Sequence, residues 1–339
     1  MHGMTISKIT LTSIFVLLAT RSVTVANPDG TENWRMEQLS DEWHFAGFEN
    51  SFDISGVASA SPTQCLVGSD ESFYVQPGVI DPKKKRIESR RPIPLPLEES
   101  DGKMEIDIEG VTYSVADAAY FVVGSHGVGK KKADFQIDRH AVCRIPVDQG
   151  SGKVLGKEVR RTSLLPWLAK TPLLAPYVKT PLQQNGLNIE GLTSSEGKLY
   201  FGLRSPNKDG VGFVIEISEK ELFEGPSGEL RVHEIPIRKG RGIREIAAVE
   251  GGFLLLTGNA SAEATKKIPV SYAPGPDINF ELLFWRGEAS TPELIGELPQ
   301  NGGKAEALLV LEDHQKHIDV LVVFDSLPGG LPISFRVFR

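Results

Sequence analysis

Five short segments of this chain repeat one pattern, and the repeat constrains the fold more than any other feature of the sequence. Each segment has an apolar second residue, a polar third residue and an aliphatic fifth residue. The segments are residues 53–57, 107–111, 188–192, 242–246 and 304–308. Each is followed about a dozen residues later by an apolar run that ends in polar residues, at 65–70, 121–126, 199–204, 254–259 and 321–326. Such internal similarity is typical of repeat architectures.

The repeated units have the composition of β-strands. They are short, rich in β-branched and aromatic residues, and bounded by Gly, Asp, Ser and Pro. A third strand is predicted in each unit at 72–79, 140–147, 212–218, 279–287 and 333–339, and a fourth at 86–95, 157–164, 230–237 and 292–298. The sequence therefore predicts an all-β fold, a five-bladed β-propeller of four-stranded antiparallel blades. Six blades, one of them degenerate, and a pair of β-sandwiches are the alternatives.

The two ends of the chain are predicted to complete one blade together. The fifth unit stops after its third strand, at Arg339, while residues 34–48 are strand-like and belong to no other unit. We expect this N-terminal strand to close the ring. The long interval between the second and third repeats contains a proline-rich insertion, residues 163–187, predicted to form short helical turns. It is either a functional loop or a packing cover over one face.

Residues 1–26 resemble a secretory signal peptide. Lys8 precedes an apolar stretch at 9–19, and the small residues at 24–26 predict cleavage after Ala26. The alternative is an uncleaved anchor. Residues 27–339 are then one propeller domain, secreted or periplasmic, with no membrane span after cleavage. The net charge of −7 argues against a nucleic-acid partner.

The chain has two cysteines, Cys65 and Cys143, and both lie within apolar runs. Two cysteines are too few for a disulfide framework, and their spacing is not that of a metal site. The sequence favours buried free thiols.

Antiparallel pairing predicts where the polar residues of the repeat meet. The end of each second strand lies beside the start of the first, so all five pairs face one end of the central channel. The predicted groups are Ser55 with Ser69 and Asp70, Glu109 with Ser125 and His126, Glu190 with Arg204, Arg244 with Asn259, and Glu306 with Asp325 and Ser326. Convergent polar groups in one concavity are a candidate site.

Two chemical roles are considered for this ring. The candidate catalytic residues are Glu109, His126, Glu190, Arg204, Arg244 and Glu306. Carboxylates this close need a cation or an arginine to offset their charge. The candidate metal ligands, for Ca²⁺ or Mg²⁺, are Glu109, Glu190, Glu306 and Asp325. His126 is a candidate general base oriented by Glu109. The alternative is structural, with each polar residue bonding the backbone of a neighbouring blade. His314 and His317 are interpreted as surface loop residues.

Three stretches carry a resemblance to a known family. Residues 188–192, 202–206 and 240–246 resemble the signatures of a secreted bacterial family, domain of unknown function 3616. The resemblance covers most of the mature chain, from about Asp53 to Phe324. That family is distantly similar to phytase-like and esterase-like propellers, which implies a phosphoester or ester substrate with Ca²⁺. Gly110 and Gly191 keep the Glu-Gly pattern, whereas Ser55, Glu245 and Ala307 depart from it. A complete metal ring is therefore not implied.

Three functions fit these observations. The first is a secreted propeller that binds a small molecule, a glycan or a protein at the polar mouth of its channel. The second is a hydrolase of phosphoesters or carboxyl esters assisted by a divalent cation, in which Arg204 and Arg244 clamp an anion. The third is a structural module whose polar ring only joins the blades. Ca²⁺ is the cofactor that the resemblance implies.

Overall fold

In the residues that the computed structural model describes, short apolar runs bounded by turn residues form 23 β-strands. The model describes residues 22–24, 34–98, 105–129, 131–225, 230–271, 279–288 and 290–339. Apart from 22–24, the predicted signal peptide lies outside these ranges. The first strands in the described residues are β1 (Ser22–Thr24), β2 (Arg35–Ser40) and β3 (His44–Ala46).

The remaining strands follow in blade order, each blade running outward from the axis. Blade one contains β4 (Ile54–Ser61), β5 (Gln64–Ser69), β6 (Tyr74–Asp81), β7 (Arg86–Ser89) and β8 (Ile93–Pro94). Blade two contains β9 (Ile108–Ser114), β10 (Ala119–Gly124), β11 (Val142–Pro146) and β12 (Arg160–Thr162). Blade three contains β13 (Asn188–Ser195), β14 (Lys198–Ser205), β15 (Val211–Ser218) and β16 (Arg231–Pro236).

Blades four and five complete the ring. Blade four contains β17 (Arg241–Val249), β18 (Gly252–Asn259), β19 (Glu281–Trp285) and β20 (Glu293–Glu297). Blade five contains β21 (Lys304–His314), β22 (His317–Asp325) and β23 (Ile333–Phe338). The five sheets confirm the predicted five-bladed β-propeller, and the described residues form no sixth blade.

The N-terminal segment closes the ring, but it is divided between two blades. β2 pairs antiparallel with β23, Met36 opposite Val337, and so supplies the fourth strand of blade five, with β1 outside it. β3 instead pairs parallel with β7 at the outer edge of blade one. The prediction that 34–48 forms one strand is therefore wrong after Ser40. The irregular segment at residues 41–43 carries the chain across the joint between the first and last blades.

Apolar side chains fill the joints between neighbouring blades. Inner strands are buried on both faces, whereas an outer strand such as β16 alternates between buried and exposed residues, as a half-buried strand does. Five apolar clusters result, one at each of the five joints. Leu66 of blade one packs in the same cluster as Ile108 of blade two, and Leu256 of blade four with Val322 of blade five.

The insertion at 163–187 packs against the joint between blades two and three. It contains the helix α1 (Leu165–Leu168) and 3₁₀ turns at Ala175–Tyr177 and Leu182–Gln184. Trp167 and Leu174 are buried in the same apolar cluster as Phe121 and Phe213. This part of the insertion therefore covers the hydrophobic core.

A second helix, α2 (Glu219–Glu224), follows β15 and begins at Ser218, whose hydroxyl accepts a hydrogen bond from the Glu221 amide. In the described part of the chain no helix has the length and apolar character needed to cross a membrane. Cys65 and Cys143 are buried and unpaired, and burial raises the pKa of both thiols to about 12.

Candidate functional site

A β-bulge occupies the same position in the innermost strand of all five blades. The residue that the pairing register skips is the polar third residue of each repeat. The bulged residues are Ser55, Glu109, Glu190, Arg244 and Glu306. A bulge bends its strand and redirects the extra side chain. The repeat thus gives all five side chains the same backbone geometry at one end of the channel.

Glycines beside three of the bulges allow neighbouring inner strands to approach closely. A Cβ atom on Gly56 would lie 2.8 Å from the Val111 nitrogen of the next blade. One on Gly191 would lie 2.9 Å from the Ile246 nitrogen. Contacts this short exclude a side chain. Close packing between blades therefore explains why glycine follows the bulged residue in these repeats.

Arginine and glutamate side chains from three blades form one ion-pair network at this end. Glu190 accepts a hydrogen bond from Arg204 Nη1 at 2.7 Å through Oε1. Its other oxygen lies 2.8 Å from Arg244 Nε, a charge contact in which the N–H is poorly aligned. Arg244 Nη2 in turn donates to Glu306. The order Arg204, Glu190, Arg244, Glu306 joins blades three, four and five.

Burial makes this network sensitive to its charge balance. Arg244 is only 2% exposed, and burial, together with the Arg204 cation, lowers its pKa to about 10. The carboxylates of Glu190, Glu109 and Asp325 oppose that shift, so the guanidinium remains charged at neutral pH. Arg204 is itself held by the Ser261 and Asn259 carbonyl oxygens, at 2.6 and 3.2 Å.

The other bulged residues have different surroundings. The Ser55 hydroxyl donates to the Ile108 carbonyl of the next blade, which is the structural alternative considered for this ring. Glu109 is buried and acts electrostatically on both Arg244 and Arg139. Asp325 accepts hydrogen bonds from Lys304 Nζ at 3.1 Å and from the Ser326 hydroxyl at 3.0 Å.

The structure does not bring the candidate metal ligands to one point. Among the described residues, only Glu312, His314 and His317 have ligand atoms close enough to share one ion. Glu109, Glu190, Glu306 and Asp325 therefore do not converge as a ligand set. At Glu190 and Glu306, arginine supplies the compensating charge that a cation would otherwise provide.

The contacts of His126 do not fit the general-base role predicted for it. Its Nδ1 lies 2.9 Å from the Gly124 carbonyl oxygen, and its Nε2 accepts a hydrogen bond of 3.2 Å from the Leu164 amide. Burial lowers the pKa of His126 to about 3. Both ring nitrogens bind backbone, so His126 anchors the insertion to blade two and is not directed to Glu109.

Beside the mouth lies a polar cleft that the sequence pattern does not predict. Arg139, only 7% exposed, binds Asp107 at 2.9 Å and also pairs with Glu105. The cleft has a volume of about 230 Å³ and is also lined by Asp70 and Lys131, among others. Asp107 starts the second repeat, but no local pattern marks Arg139, which lies in the 3₁₀ turn Ile137–His140 just before β11.

Glu245 is a second residue whose importance the sequence did not indicate. It replaces the glycine of the repeat in blade four and lines the central channel. Its Oε1 accepts hydrogen bonds from the Leu192 and Ile246 amides at 3.0 and 2.8 Å, while Oε2 has no hydrogen-bond partner among the described residues. Burial raises the pKa of this carboxyl well above its usual value, which favours the neutral form.

Solved structures with similar folds have varied activities. A glutaminyl cyclase from Myxococcus xanthus matches 89% of this chain and 96% of its own, at 10% identity and a TM-score of 0.45. A GH43 β-1,3-galactosidase matches 88% and 59%, at 12% identity and 0.48. A hydrazine synthase from Kuenenia stuttgartiensis matches 80% and 64%, at 12% identity and 0.39. The chain thus spans less than two thirds of the last two. Similarities at these levels say nothing about activity.

Sequence similarity identifies the family of this chain. A comparison with curated protein sequences gives no match. A family described as "Protein of unknown function (DUF3616)" matches residues 138–329, which cover more than half of the chain. That range includes three of the five bulged residues, together with Arg204 and Asp325. The chain therefore belongs to this family of β-propellers, DUF3616.

Proposed function

We propose that this protein is a binding propeller, and that it holds a small polar ligand at the mouth of its channel and in the adjoining cleft. The ligand chemistry that fits is one rich in hydrogen-bond donors, such as the hydroxyl groups of a sugar or the amino groups of an amine. One observation carries the proposal: the bulges gather polar side chains at one end, where carboxylates outnumber cations.

The charge balance at the mouth favours a ligand that donates hydrogen bonds. The carboxylates there are Asp53, Glu109, Glu190, Glu306 and Asp325, and the cations are Arg204, Arg244 and Lys304. The pKa of Asp53 is raised by burial and by the nearby charges of Glu71 and Asp325. An uncompensated negative potential attracts donors and cations and repels anions.

The adjoining cleft provides room and further acceptors. Its lining includes the acidic residues Asp70, Glu71, Glu105, Asp107 and Asp134, against Lys131, Lys132 and Arg139. The buried pair of Arg139 and Asp107 gives the wall of the cleft a rigid polar surface. A concave, preformed surface with fixed polar groups is the usual setting of a small-ligand site.

An ester hydrolase has less support. That reaction needs an activated nucleophile or a general base within reach of the substrate. His126 has both nitrogens bound to backbone, and the two arginines of the mouth are occupied by Glu190 and Glu306. An arginine that already binds a carboxylate is a poor clamp for a second anion.

Export from the cytoplasm is part of the proposal, because residues 1–26 have the pattern of a signal peptide. Expression in a bacterial host with intact export is expected to yield a chain that begins at Asn27 in the periplasm or medium. Intact-mass measurement of that fraction tests this. A cytoplasmic chain that retains residues 1–26 would contradict it.

The thermal unfolding midpoint of the purified chain tests ligand binding. Neutral sugars and amines are expected to raise the midpoint, whereas phosphate and carboxylate anions are not. A ligand at about 100 times its Kd stabilises a native protein by about 2.7 kcal/mol. Asp325→Asn and Glu306→Gln should each reduce the shift, because each removes a negative charge at the mouth.

Glu234 provides the matched control, since it is exposed on the outer strand of blade three. Glu234→Gln should leave the ligand-induced shift unchanged. Stabilisation by anions alone, or equal shifts in the Asp325→Asn and Glu234→Gln variants, would disprove the proposal.

A further inference from the structure

The hairpin at the far end of blade five presents two histidines and two carboxylates on one face. β21 and β22 are joined by the two residues Gln315 and Lys316, so that His314 is paired directly with His317. Glu312 is likewise paired with Asp319. Side chains directly opposite each other, and those two residues apart on one strand, share a face of the sheet. The register therefore places all four side chains on the same side.

Three of these side chains lie within the dimensions of a metal site. His314 Nε2 is 3.2 Å from Glu312 Oε2, and the rings of His314 and His317 are 5.0 Å apart. One ligand atom from each of Glu312, His314 and His317 lies within 4.8 Å of the others. No other such group of three is found in the described ranges.

The backbone of the turn is held by contacts outside the hairpin. The Arg339 amide donates to the Lys316 carbonyl at 3.1 Å, and Arg339 Nη1 donates to the His314 carbonyl at 3.1 Å. Arg339 also binds Asp313 at 2.7 Å, and the Glu250 amide of blade four donates to Asp313. A fixed backbone holds the histidine pair in register before any ion binds, and this lowers the ordering cost of binding.

We propose that Glu312, His314 and His317 form a binding site for a divalent transition-metal ion, with Zn²⁺ as the best fit. Zn²⁺ is bound by imidazole nitrogen and carboxylate oxygen at about 2.0–2.2 Å, and a tetrahedral site places its ligand atoms roughly 3.3 Å apart. The 3.2 Å pair already has that spacing. The site takes two nitrogens and one oxygen from the protein and leaves the fourth position for water.

The surroundings suit such an ion. The side chains of His314 and Glu312 are 57% and 59% exposed, so both can turn toward an incoming ion at little cost. Asp319 is already neutralised by Arg336, at 2.7 Å, and Arg339 by Asp313. Glu312 therefore supplies the negative charge of the site. Two imidazole ligands favour Zn²⁺, Ni²⁺ or Cu²⁺ over Ca²⁺, which prefers oxygen.

This site is separate from the mouth of the channel. β21 runs 11 residues from Lys304 at the mouth to His314. At about 3.3 Å per residue the two ends of that strand are roughly 30 Å apart. Zinc binding at the hairpin does not depend on the function proposed for the mouth.

Calorimetric titration of the untagged, metal-stripped chain with Zn²⁺ tests the inference. One equivalent is expected to bind, and excess Ca²⁺ should not displace it. His314→Gln and His317→Gln should each weaken binding at least about tenfold, the lower limit for losing even an outer partner of a metal site. The ring signals of these two histidines should shift in NMR spectra on addition of Zn²⁺.

His44 is the matched control, since it is an exposed histidine on β3 outside the group. His44→Gln should bind Zn²⁺ as tightly as the parent chain. In the parent chain, the His44 ring signals should not shift when Zn²⁺ is added. Failure of the parent chain to bind one equivalent, or equal Zn²⁺ affinity in the His314→Gln, His317→Gln and His44→Gln variants, would overturn the inference.

Discussion

Arg244 in blade four lies 2.8 Å from the carboxylate of Glu190 in blade three, and both side chains are almost completely buried. The same guanidinium also binds Glu306 in blade five. One side chain therefore connects three successive blades across the mouth of the channel. Its own charge, in turn, depends on the carboxylates around it.

Arg244→Met should destabilise the protein strongly. The variant keeps most of the side-chain volume but leaves the carboxylates of Glu190 and Glu306 with less compensation in a buried setting. Breaking a buried ion pair by removing one partner costs about 3–5 kcal/mol. Urea unfolding measures the change in free energy. Arg286→Met is the matched control, because its pair with Glu293 is half exposed and should contribute less than about 1 kcal/mol. Similar losses in the two variants would contradict this interpretation.

Gly191→Ala should destabilise the joint between blades three and four. The added Cβ would lie 2.9 Å from the Ile246 nitrogen and 3.0 Å from the Glu245 carbonyl carbon, both backbone atoms that cannot move aside. Overpacking of this kind costs about 1–3 kcal/mol. Gly150→Ala, where only a side-chain oxygen at 3.6 Å is near, should be close to neutral. The midpoint of thermal unfolding of the two variants decides between close packing and a general sensitivity to glycine replacement.

His140→Phe should make the protein less sensitive to acid. His140 is buried and its ring stacks on Phe135, and in the described part of the chain neither ring nitrogen has a hydrogen-bond partner. Burial, with the charges of Arg139 and Arg161, lowers the pKa of His140 from 6.5 to about 4. Below pH 6.5 the His140 imidazole is protonated in the unfolded chain, whereas in the folded chain it stays neutral down to about pH 4. The stability linked to this group is thus present above pH 6.5 and lost as the pH falls.

The stability of the His140→Phe variant relative to the parent chain should therefore increase as the pH falls from 6.5 to 4. The difference in unfolding free energy should reach the order of 3 kcal/mol at the acid end of that range. Urea unfolding at several pH values measures it. A constant difference across this range would show that His140 does not titrate as proposed.

Glu245→Gln should stabilise the protein at neutral pH. Burial raises the pKa of the Glu245 carboxyl, so above its usual value of 4.5 the unfolded chain is ionised while the folded chain keeps its proton. Stability linked to Glu245 is present below pH 4.5 and lost as the pH rises. Glutamine stays neutral and can still accept from the Leu192 and Ile246 amides. The advantage of the variant should grow with pH above 4.5 and vanish below it, as measured by urea unfolding. A variant less stable than the parent at pH 8 would indicate an ionised, compensated carboxylate.

Much of the propeller could be predicted because each blade is formed by residues that are close together in the sequence. Strand runs, turns and the spacing of the repeat depend on residues near one another in the chain, and the pairing of Glu190 with Arg204 follows from one hairpin. The division of residues 34–48 between two blades could not be predicted. It depends on the gap between the first and last blades, which exists only once the ring has closed.

The candidate site, too, has features that the sequence predicts and contacts that only the fold decides. The sequence by itself determined five strand-starting repeats, the polar residue in each and the end of the channel at which they gather, because β pairing and bulges are short-range. Only the tertiary structure decided what each residue binds. Arg244 reaches Glu190 and Glu306, His126 turns to Leu164, and Asp107 meets Arg139, because these contacts depend on how blades and loops are packed in space. The packing of the blades sets which side chains meet across a blade joint, and those side chains come from residues distant in the chain.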